Sequence, residues 1–212
     1  VAPAHASVSV DSTVEDNIKI TYNLENLDST SYNETMTNNQ FNSSTIPNII
    51  VKNLEKQNLT HVNYDFQPNT YDNATKTIRV SFYLGGSDII SFTINRTAMR
   101  KTYQVKTEWR KFQVNLTNRF LIDFTQYFAE PVEKWQKPNQ TTYYIETHGT
   151  GFFNVLSFKI TLPAAATNVQ AQGDTITYEI PYFEDVFLNS PFLILAVLIL
   201  VIIVALIYRR VR

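Results

Sequence analysis

The chain carries one long apolar run near its C-terminal end. Residues 192–207, FLILAVLILVIIVALI, include no charged or hydrogen-bonding side chain, no Gly and no Pro. With Tyr208 the run has 17 residues, and as a helix it measures roughly 26 Å, slightly less than the ~30 Å hydrocarbon core of a bilayer. A buried core helix is the alternative, but only residues 209–212 follow to cover it. The run therefore predicts a single transmembrane helix over residues 191–208.

Charges flank this run unequally. The nearest charged residues before it are acidic, at positions 184 and 185. Three arginines follow it: Arg209, Arg210 and Arg212. Because Lys and Arg concentrate on the cytoplasmic side of a span, we expect these arginines to be a stop-transfer signal and residues 209–212 to be a cytoplasmic tail. The protein is then a single-pass protein of the cell membrane with its N-terminus outside.

The remainder of the chain is expected to lie outside the cytoplasm. Residues 1–181 are predicted to form the extracytoplasmic β domain, and residues 182–190 a juxtamembrane connector. The sequence starts VAPAHASVSV, without Met and without an apolar leader, which indicates that a signal peptide has been removed. A truncated sequence would start in the same way. The length before the span suffices for one large sandwich or two smaller β domains.

Alternation of apolar and polar residues is the main signal for secondary structure. In TIRVSFYL, residues 77–84, every second side chain is apolar, and the same holds for DIISFTIN, residues 88–95. Gly85 and Gly86 lie between them and predict a tight hairpin. Further strands are predicted at 17–24, 61–66, 102–109, 112–117, 119–126, 141–147, 152–162 and 174–180. With almost no helical periodicity, this pattern predicts a mainly β chain built as an antiparallel β-sandwich.

Three segments depart from the alternation. Residues 26–45 are polar with few apolar residues and predict a long surface loop or a disordered insertion. Residues 46–59 have Ile50 and Leu54 four apart and predict a short helix. Residues 128–140 contain two prolines and predict a loop.

Composition limits the class of protein. The chain has no Cys, so an exported domain must hold together by its core alone, and this favours a prokaryotic envelope over an animal secreted module. Without the three tail arginines, 15 basic residues face 19 acidic ones, a net charge near −4. That balance gives no basic face for nucleic acid, and we expect no nucleic-acid partner.

Asn-x-Ser/Thr triplets are the strongest chemical signal. Seven occur, with the acceptors Asn33, Asn42, Asn58, Asn73, Asn95, Asn115 and Asn139. The 20 Asn and 36 Ser plus Thr among 212 residues give about three such triplets by chance, so the excess is about twofold. An acceptor in a strand must lie on the polar side, and by parity Asn95 and Asn115 do. The triplets predict an N-glycosylated protein, although plain solvated asparagines would produce the same parity.

No residue pattern indicates catalysis. The three His residues are scattered, and without Cys a zinc site would need carboxylate ligands from distant strands. His61 and Asp65 share one strand face, but this spacing is common by chance. No nucleophile, phosphate-binding or dinucleotide motif occurs. We therefore expect no catalytic residue, cofactor or metal site and predict that the chain is not an enzyme, with a hydrolase assembled in space as the remaining alternative.

A group of basic residues lies within and on both sides of the strand predicted at 102–109. Its members are Arg96, Arg100, Lys101, Lys106, Arg110 and Lys111. The group is either a solvated strand face or a surface that docks another protein. In the second case, reversing Arg110 and Lys111 to Glu is expected to release the partner and leave the chain folded.

The layout resembles single-pass surface proteins of archaeal envelopes. The seven triplets and residues 191–212 carry this resemblance, with LPAAATNVQAQGDTITYEIP similar to the closing strands of membrane-proximal sandwiches. It implies a structural or interaction protein of the cell envelope whose partners are membrane lipid, N-linked glycans and other envelope proteins. The alternative is an accessory subunit of a membrane protein complex, with its sandwich covering the extracytoplasmic face.

Overall fold

The computed structural model describes residues 6–38, 40–117, 120–149, 152–182, 195–202 and 208. This part is mainly β with several antiparallel sheets, as the alternation predicted. The strands are β1 (Ala6–Val14), β2 (Ile18–Glu25), β3 (Asn63–Phe66), β4 (Thr70–Asp72), β5 (Thr77–Gly85), β6 (Ile90–Asn95), β7 (Arg100–Lys106), β8 (Gln113–Asn115), β9 (Leu121–Asp123), β10 (Gln136–Asn139), β11 (Thr142–His148), β12 (Phe153–Thr161), β13 (Thr167–Gln172) and β14 (Thr175–Pro181). The helices are α1 (Ser29–Asn38), α2 (Thr45–Glu55) and α3 (Phe124–Tyr127), with 3-10 turns at Glu108–Arg110 and Val132–Lys134.

The largest sheet has eight strands. Seven follow the order β10-β11-β12-β1-β2-β5-β3, and β4 also pairs with β5. The strand pairs of this sheet are antiparallel except one, because β1 runs parallel to β12. Residues 6–14 alternate as ASVSVDSTV and provide a central strand of the sheet, although no strand was predicted there.

This sheet is apolar on one face and polar on the other. Across its middle, Val10 pairs with Phe158 on one side and with Tyr22 on the other, and all three side chains are buried. One residue along, the side chains point to the opposite face, where Lys159 lies 2.7 Å from Asp11. The period of two in the sequence therefore separates core from solvent.

Helices and turns cover the apolar face. The Tyr22 ring lies 5.5–6.1 Å from the rings of Phe41, Phe112 and Phe124, which all come from segments outside the large sheet. Helix α2 adds Ile50 and Leu54 to the same core, which confirms the predicted helix and its apolar face.

Residues 26–45, predicted as a polar loop, contain helix α1 and the first residue of α2 instead. The Asp28 carboxylate caps α1, since its Oδ1 accepts from the Thr30 and Ser31 amides at 3.0 and 2.9 Å. Two aromatic side chains in this segment, Tyr32 and Phe41, are each 2% exposed. Two buried aromatic anchors and a capped first turn thus order a segment whose composition is that of a loop.

The predicted hairpin between residues 77–84 and 88–95 is wrong. Both strands form, but β5 pairs in the eight-stranded sheet and β6 in a four-stranded one. Gly86 has a φ of +107° as expected, yet the Ile90 amide donates to the Gly86 carbonyl over one helical turn, and this redirects the chain to the second sheet. A Cβ at Gly86 would lie 2.1 Å from the His61 carbonyl oxygen.

The four-stranded sheet has the order β13-β14-β7-β6, and a two-stranded sheet pairs β8 with β9. Strand β14 ends beside the turn that joins β6 to β7, where the Tyr182 amide donates to the Met99 carbonyl at 2.9 Å. The chain leaves the described β part at this position. Residues 128–140, predicted as a loop, include a 3-10 turn and the edge strand β10.

Half of the predicted span, residues 191–194 and 203–207, lies outside the described residues, as do positions 183–190 of the connector and the tail at 209–212. Within the described ranges, we find no helix with the length and hydrophobicity that a membrane crossing requires. Residues 195–202 are helical and exposed, with Leu200 64% accessible.

Candidate glycosylation sites and interaction surfaces

Six of the seven predicted acceptor asparagines have exposed side chains. They are Asn33, Asn58, Asn73, Asn95, Asn115 and Asn139. Asn115 lies on β8 between the buried residues Val114 and Leu116, as its parity predicted. Asn33 lies on the exposed side of α1. These six positions meet the geometric requirement that a glycan project into solvent.

Several of these acceptors lie at turns. Asn58 has a φ of +62° just after α2, and the Asn95 Oδ1 accepts from the Ala98 amide at 2.9 Å in the β6–β7 turn. The Asn139 Oδ1 accepts from the Thr141 amide at 2.9 Å. Asn is favoured in turns because it tolerates a positive φ and its side chain accepts from nearby backbone amides. The turn conformation alone therefore does not distinguish a glycan acceptor from an ordinary turn residue.

Asn42 differs from the other six because it is only 7% exposed. Its Oδ1 accepts from the amides of Ser44 and Thr45 at 3.0 and 2.8 Å, and also from the Ser44 hydroxyl. These bonds satisfy amides at the start of α2, a structural role typical of Asn before a helix. The sequence placed Asn42 in a solvated loop, whereas the fold uses it as a cap.

The predicted basic group is divided among different environments, and its two C-terminal members are structural. Arg110 is fully buried, with Nη2 2.6 Å from the Asp174 Oδ1 and 2.9 Å from the Glu130 carbonyl oxygen. Its Nη1 donates to the Thr107 carbonyl and hydroxyl oxygens at 2.9 and 2.7 Å, and its guanidinium lies 5.2 Å from the centre of the Trp135 ring.

Lys111 shares the same carboxylate, with Nζ 2.6 Å from the Asp174 Oδ2. Burial acts to raise the pKa of Asp174, but hydrogen bonds from Lys111 and Arg110 outweigh it and lower that pKa below its ordinary value. Reversing Arg110 to Glu would bury an uncompensated negative charge. Against the expectation that this reversal leaves the chain folded, we therefore predict that it destabilises the chain.

The other four cations lie around the four-stranded sheet. Arg100 donates to Glu179 at 2.5 Å, and Lys106 is half-buried on the same side of β7 as Arg100. Arg96 is exposed in the β6–β7 turn. Lys101 points to the opposite side, where its Nζ lies 5.2 Å from the Phe92 ring and 4.6 Å from the Tyr182 ring.

One face of the four-stranded sheet is apolar from the core to its outer end. Tyr178 is buried and stacks on Tyr103 at 5.1 Å, and Tyr103 in turn lies 5.6 Å from Phe92. At the outer end Phe92 is 54% and Ile94 is 41% exposed. We call Phe92, Ile94, Lys101, Ile180 and Tyr182 the tip face.

A second exposed aromatic group lies at the edge of the large sheet. Tyr64, Phe66 and Tyr71 belong to β3 and β4 and are 41%, 55% and 46% exposed. They pair with Leu84, Phe82 and Ile78 of β5, whose side chains face the core. The three aromatic residues therefore extend the apolar face beyond its cover, and we call them the edge patch.

His61 and Asp65, which were expected to share one strand face, do not lie on the same strand, because β3 begins at Asn63. His61 precedes β3, its amide donates to the Asp88 Oδ2 at 2.8 Å, and its Nδ1 lies 3.3 Å from the same oxygen. This amide bond is the main cause that lowers the pKa of Asp88. Among the residues that the structure describes, no group of three or more His, Asp or Glu is placed to hold a metal ion.

Comparisons of the chain with protein-family models, with curated proteins and with solved structures find no match.

Proposed function

We propose that the chain is a non-enzymatic, membrane-anchored protein of the cell surface with a structural or protein-interaction role in the envelope. Residues 1–181 form its N-glycosylated extracytoplasmic part, arranged as a β-sandwich, and residues 191–208 are its transmembrane anchor. The sandwich is supported by a cluster of buried apolar residues that takes side chains from both larger sheets, including Tyr22 and Tyr178.

The observation that carries this proposal is the exposed apolar helix at residues 195–202. Every residue in it is exposed, and Leu195, Leu200 and Val201, which lie on three different sides of the helix, are each more than half accessible. A helix that is apolar all round has to be covered by protein or by lipid. With the uninterrupted run at 192–207 around it, a hydrocarbon environment accounts for all of these side chains at once.

The six exposed acceptor asparagines support the extracytoplasmic location. Their side chains come from α1, β6, β8, β10 and two turns, so the potential glycans are distributed over the surface. Such a distribution is typical of a domain that faces the exterior, where glycans add solubility.

Membrane retention tests the anchor. The full chain is expressed with an N-terminal signal peptide, and membranes are washed at alkaline pH. We expect the chain to stay in the pellet, and Leu198→Arg to reduce retention strongly, because Arg at the centre of a span costs about 3 kcal/mol. Leu198→Ala is the matched control and should be retained. Full release of the unmodified chain by the wash would contradict the anchor.

Mass measurement tests the glycosylation. The mature chain, produced in a host that has the transferase, is weighed before and after chemical deglycosylation. We expect a loss of mass equal to at least three glycans. An unchanged mass would contradict this part of the proposal and leave the anchor intact.

The edge patch favours the second candidate, an accessory subunit of a membrane complex. Three exposed aromatic side chains lie on short strands at the edge of the large sheet. A sheet edge combined with apolar surface is typical of a contact with another protein. Purification in mild detergent distinguishes the two functions. If the chain is a subunit, it should co-purify with a stoichiometric set of polytopic proteins, and Phe66→Ser should lose them. If it is a surface protein, it should purify alone.

A further inference from the structure

The tip face lies where the chain leaves the β part towards the apolar run. Pro181 pairs with Arg100 in the ladder between β14 and β7, and the Tyr182 amide donates to the Met99 carbonyl. Nine residues, 183–191, separate this position from Phe192. Fully extended they span roughly 30 Å, so the anchor proposed above holds the tip face within that distance of the bilayer.

The chemistry of the tip face matches an interface between water and lipid. In its outermost row, Lys101 pairs with Ile94 on one side and with Ile180 on the other. The Lys101 ammonium sits against the rings of Phe92 and Tyr182. Proteins bind the headgroup region through apolar and aromatic side chains that lie next to a basic residue.

Positive charge lies at the outer end of the sheet, where the tip face is. Arg96 and Lys101 lie at the outer end, whereas the positive charge of Arg100 is neutralised by Glu179 on the opposite side of the sheet. The acceptor Asn95 also belongs to that opposite side, because it follows Ile94 on the same strand. A glycan at Asn95 therefore leaves the tip face uncovered.

We propose that the tip face is a lipid-binding surface that rests on the outer leaflet. Arg96 and Lys101 contact lipid phosphates there, and Phe92, Ile94 and Tyr182 enter the boundary between headgroups and acyl chains. The β part is thus held against the membrane at a second point besides the anchor. This inference rests on the proposed function, since only the anchor brings the surface to the bilayer.

The absence of Cys allows the inference to be tested with single-cysteine variants of the full chain. Ile94→Cys, Thr93→Cys and Leu198→Cys are labelled with an environment-sensitive fluorophore and reconstituted in vesicles of phosphatidylcholine and phosphatidylglycerol. Lipids with a quencher near the headgroup or deep in the acyl chain report the depth of each label in the bilayer. A water-soluble quencher reports whether the label is exposed to water. Thr93 is the matched control for Ile94, because it is the preceding residue on the same strand and faces the opposite side.

We expect the shallow quencher to act at least about twofold more strongly on position 94 than on position 93, and the deep quencher to act on position 198. Lys101→Glu should remove the difference between 94 and 93, whereas Lys106→Glu, on the other side of the same strand, should not.

Three results would overturn the inference. Equal quenching at 93 and 94, with position 198 quenched, means that the anchor holds but the tip face stays in water. Protection of position 94 from both lipid and aqueous quenchers means that a second copy or another protein covers it. Position 198 unquenched by lipid means that the anchor itself fails, and the proposed function with it.

Discussion

Arg110 and Asp174 form a buried ion pair between segments 64 residues apart in the sequence, with Nη2 and Oδ1 2.6 Å apart. The Arg110 side chain is 0% and the Asp174 side chain 18% exposed. The two terminal nitrogens of the guanidinium also donate to Thr107 and to the Glu130 carbonyl. The pair thereby joins the turn after β13 to the segments that carry Trp109 and Trp135.

Removal of one partner should strongly destabilise the chain. We expect Arg110→Ala to lower the free energy of unfolding by about 3–5 kcal/mol, because it removes the fully buried partner of the Asp174 carboxylate and leaves only the partly exposed Lys111 to neutralise that carboxylate. Unfolding by denaturant in mild detergent, followed by the fluorescence of the buried Trp109 and Trp135, measures this loss. Arg100→Ala is the matched control, since its pair with Glu179 is half exposed, and its loss should be much smaller. Equal losses in the two variants would contradict the structural role of Arg110.

The same pair predicts a dependence of stability on pH. Because the pKa of Asp174 is lowered in the folded state, its contribution is complete above the unfolded-state value of about 3.9 and is lost as the pH falls towards the folded-state pKa. Asp174→Asn should therefore be much less stable than the unmodified chain at neutral pH, and the difference should narrow below about pH 4. Denaturant titrations over this pH range measure it. A difference that stays constant would mean that Asp174 contributes through shape and not through charge.

A substitution at Tyr22 is expected to raise the stability of the chain instead of lowering it. Its ring is the centre of the aromatic core, but its hydroxyl is buried and has no hydrogen-bond partner among the described residues. Burial also raises the pKa of this hydroxyl far above its ordinary value. Tyr22→Phe keeps the ring and removes the unsatisfied group, so we expect a gain of about 1 kcal/mol in the free energy of unfolding.

Tyr144→Phe is the control for that gain, because the Tyr144 hydroxyl donates to Glu146 and its loss should not stabilise. Thermal unfolding of both variants provides the measurement. A clear loss of stability in Tyr22→Phe would show that its hydroxyl has a partner after all.

Asn42 and Asn115 are predicted to have different roles: Asn42 is structural, and Asn115 is a glycan acceptor. Asn42→Gln should leave the glycan mass unchanged and reduce stability by about 1 kcal/mol, because the longer side chain no longer caps α2. Asn115→Gln should remove the mass of one glycan and leave stability unchanged, because its side chain is exposed on β8. Mass spectrometry and thermal unfolding of the two variants test this pair. A glycan on Asn42 in the folded chain would contradict the structure around it.

The sequence predicted strands better than their pairing. Alternation in residues 77–84 and 174–180 identified β5 and β14, because burial on one side alone produces that period. It did not distinguish a hairpin from a change of sheet after Gly86, because both use a glycine with positive φ. The parallel pairing of β1 with β12 joins positions far apart and leaves no local pattern.

The same limit applies to the candidate sites. The exposure of Asn115 followed from parity, because Val114 and Leu116 on either side are apolar. The burial of Arg110 could not be predicted from the local sequence, because its partner Asp174 comes from a distant turn. Two adjacent basic residues, Arg110 and Lys111, are instead typical of a solvated surface. The capping role of Asn42 was readable in principle, since Asn followed by Ser44 and Thr45 precedes the predicted helix.

The central claim is that residues 191–208 anchor the chain and that its β part lies outside the cytoplasm. Thiol labelling of intact cells tests it most directly, with Thr93→Cys in the β part and Val211→Cys in the tail as single cysteines. We predict that a membrane-impermeant maleimide labels position 93 in intact cells and position 211 only after permeabilisation. Labelling of position 211 in intact cells, or protection of position 93 until the cells are opened, would contradict the account.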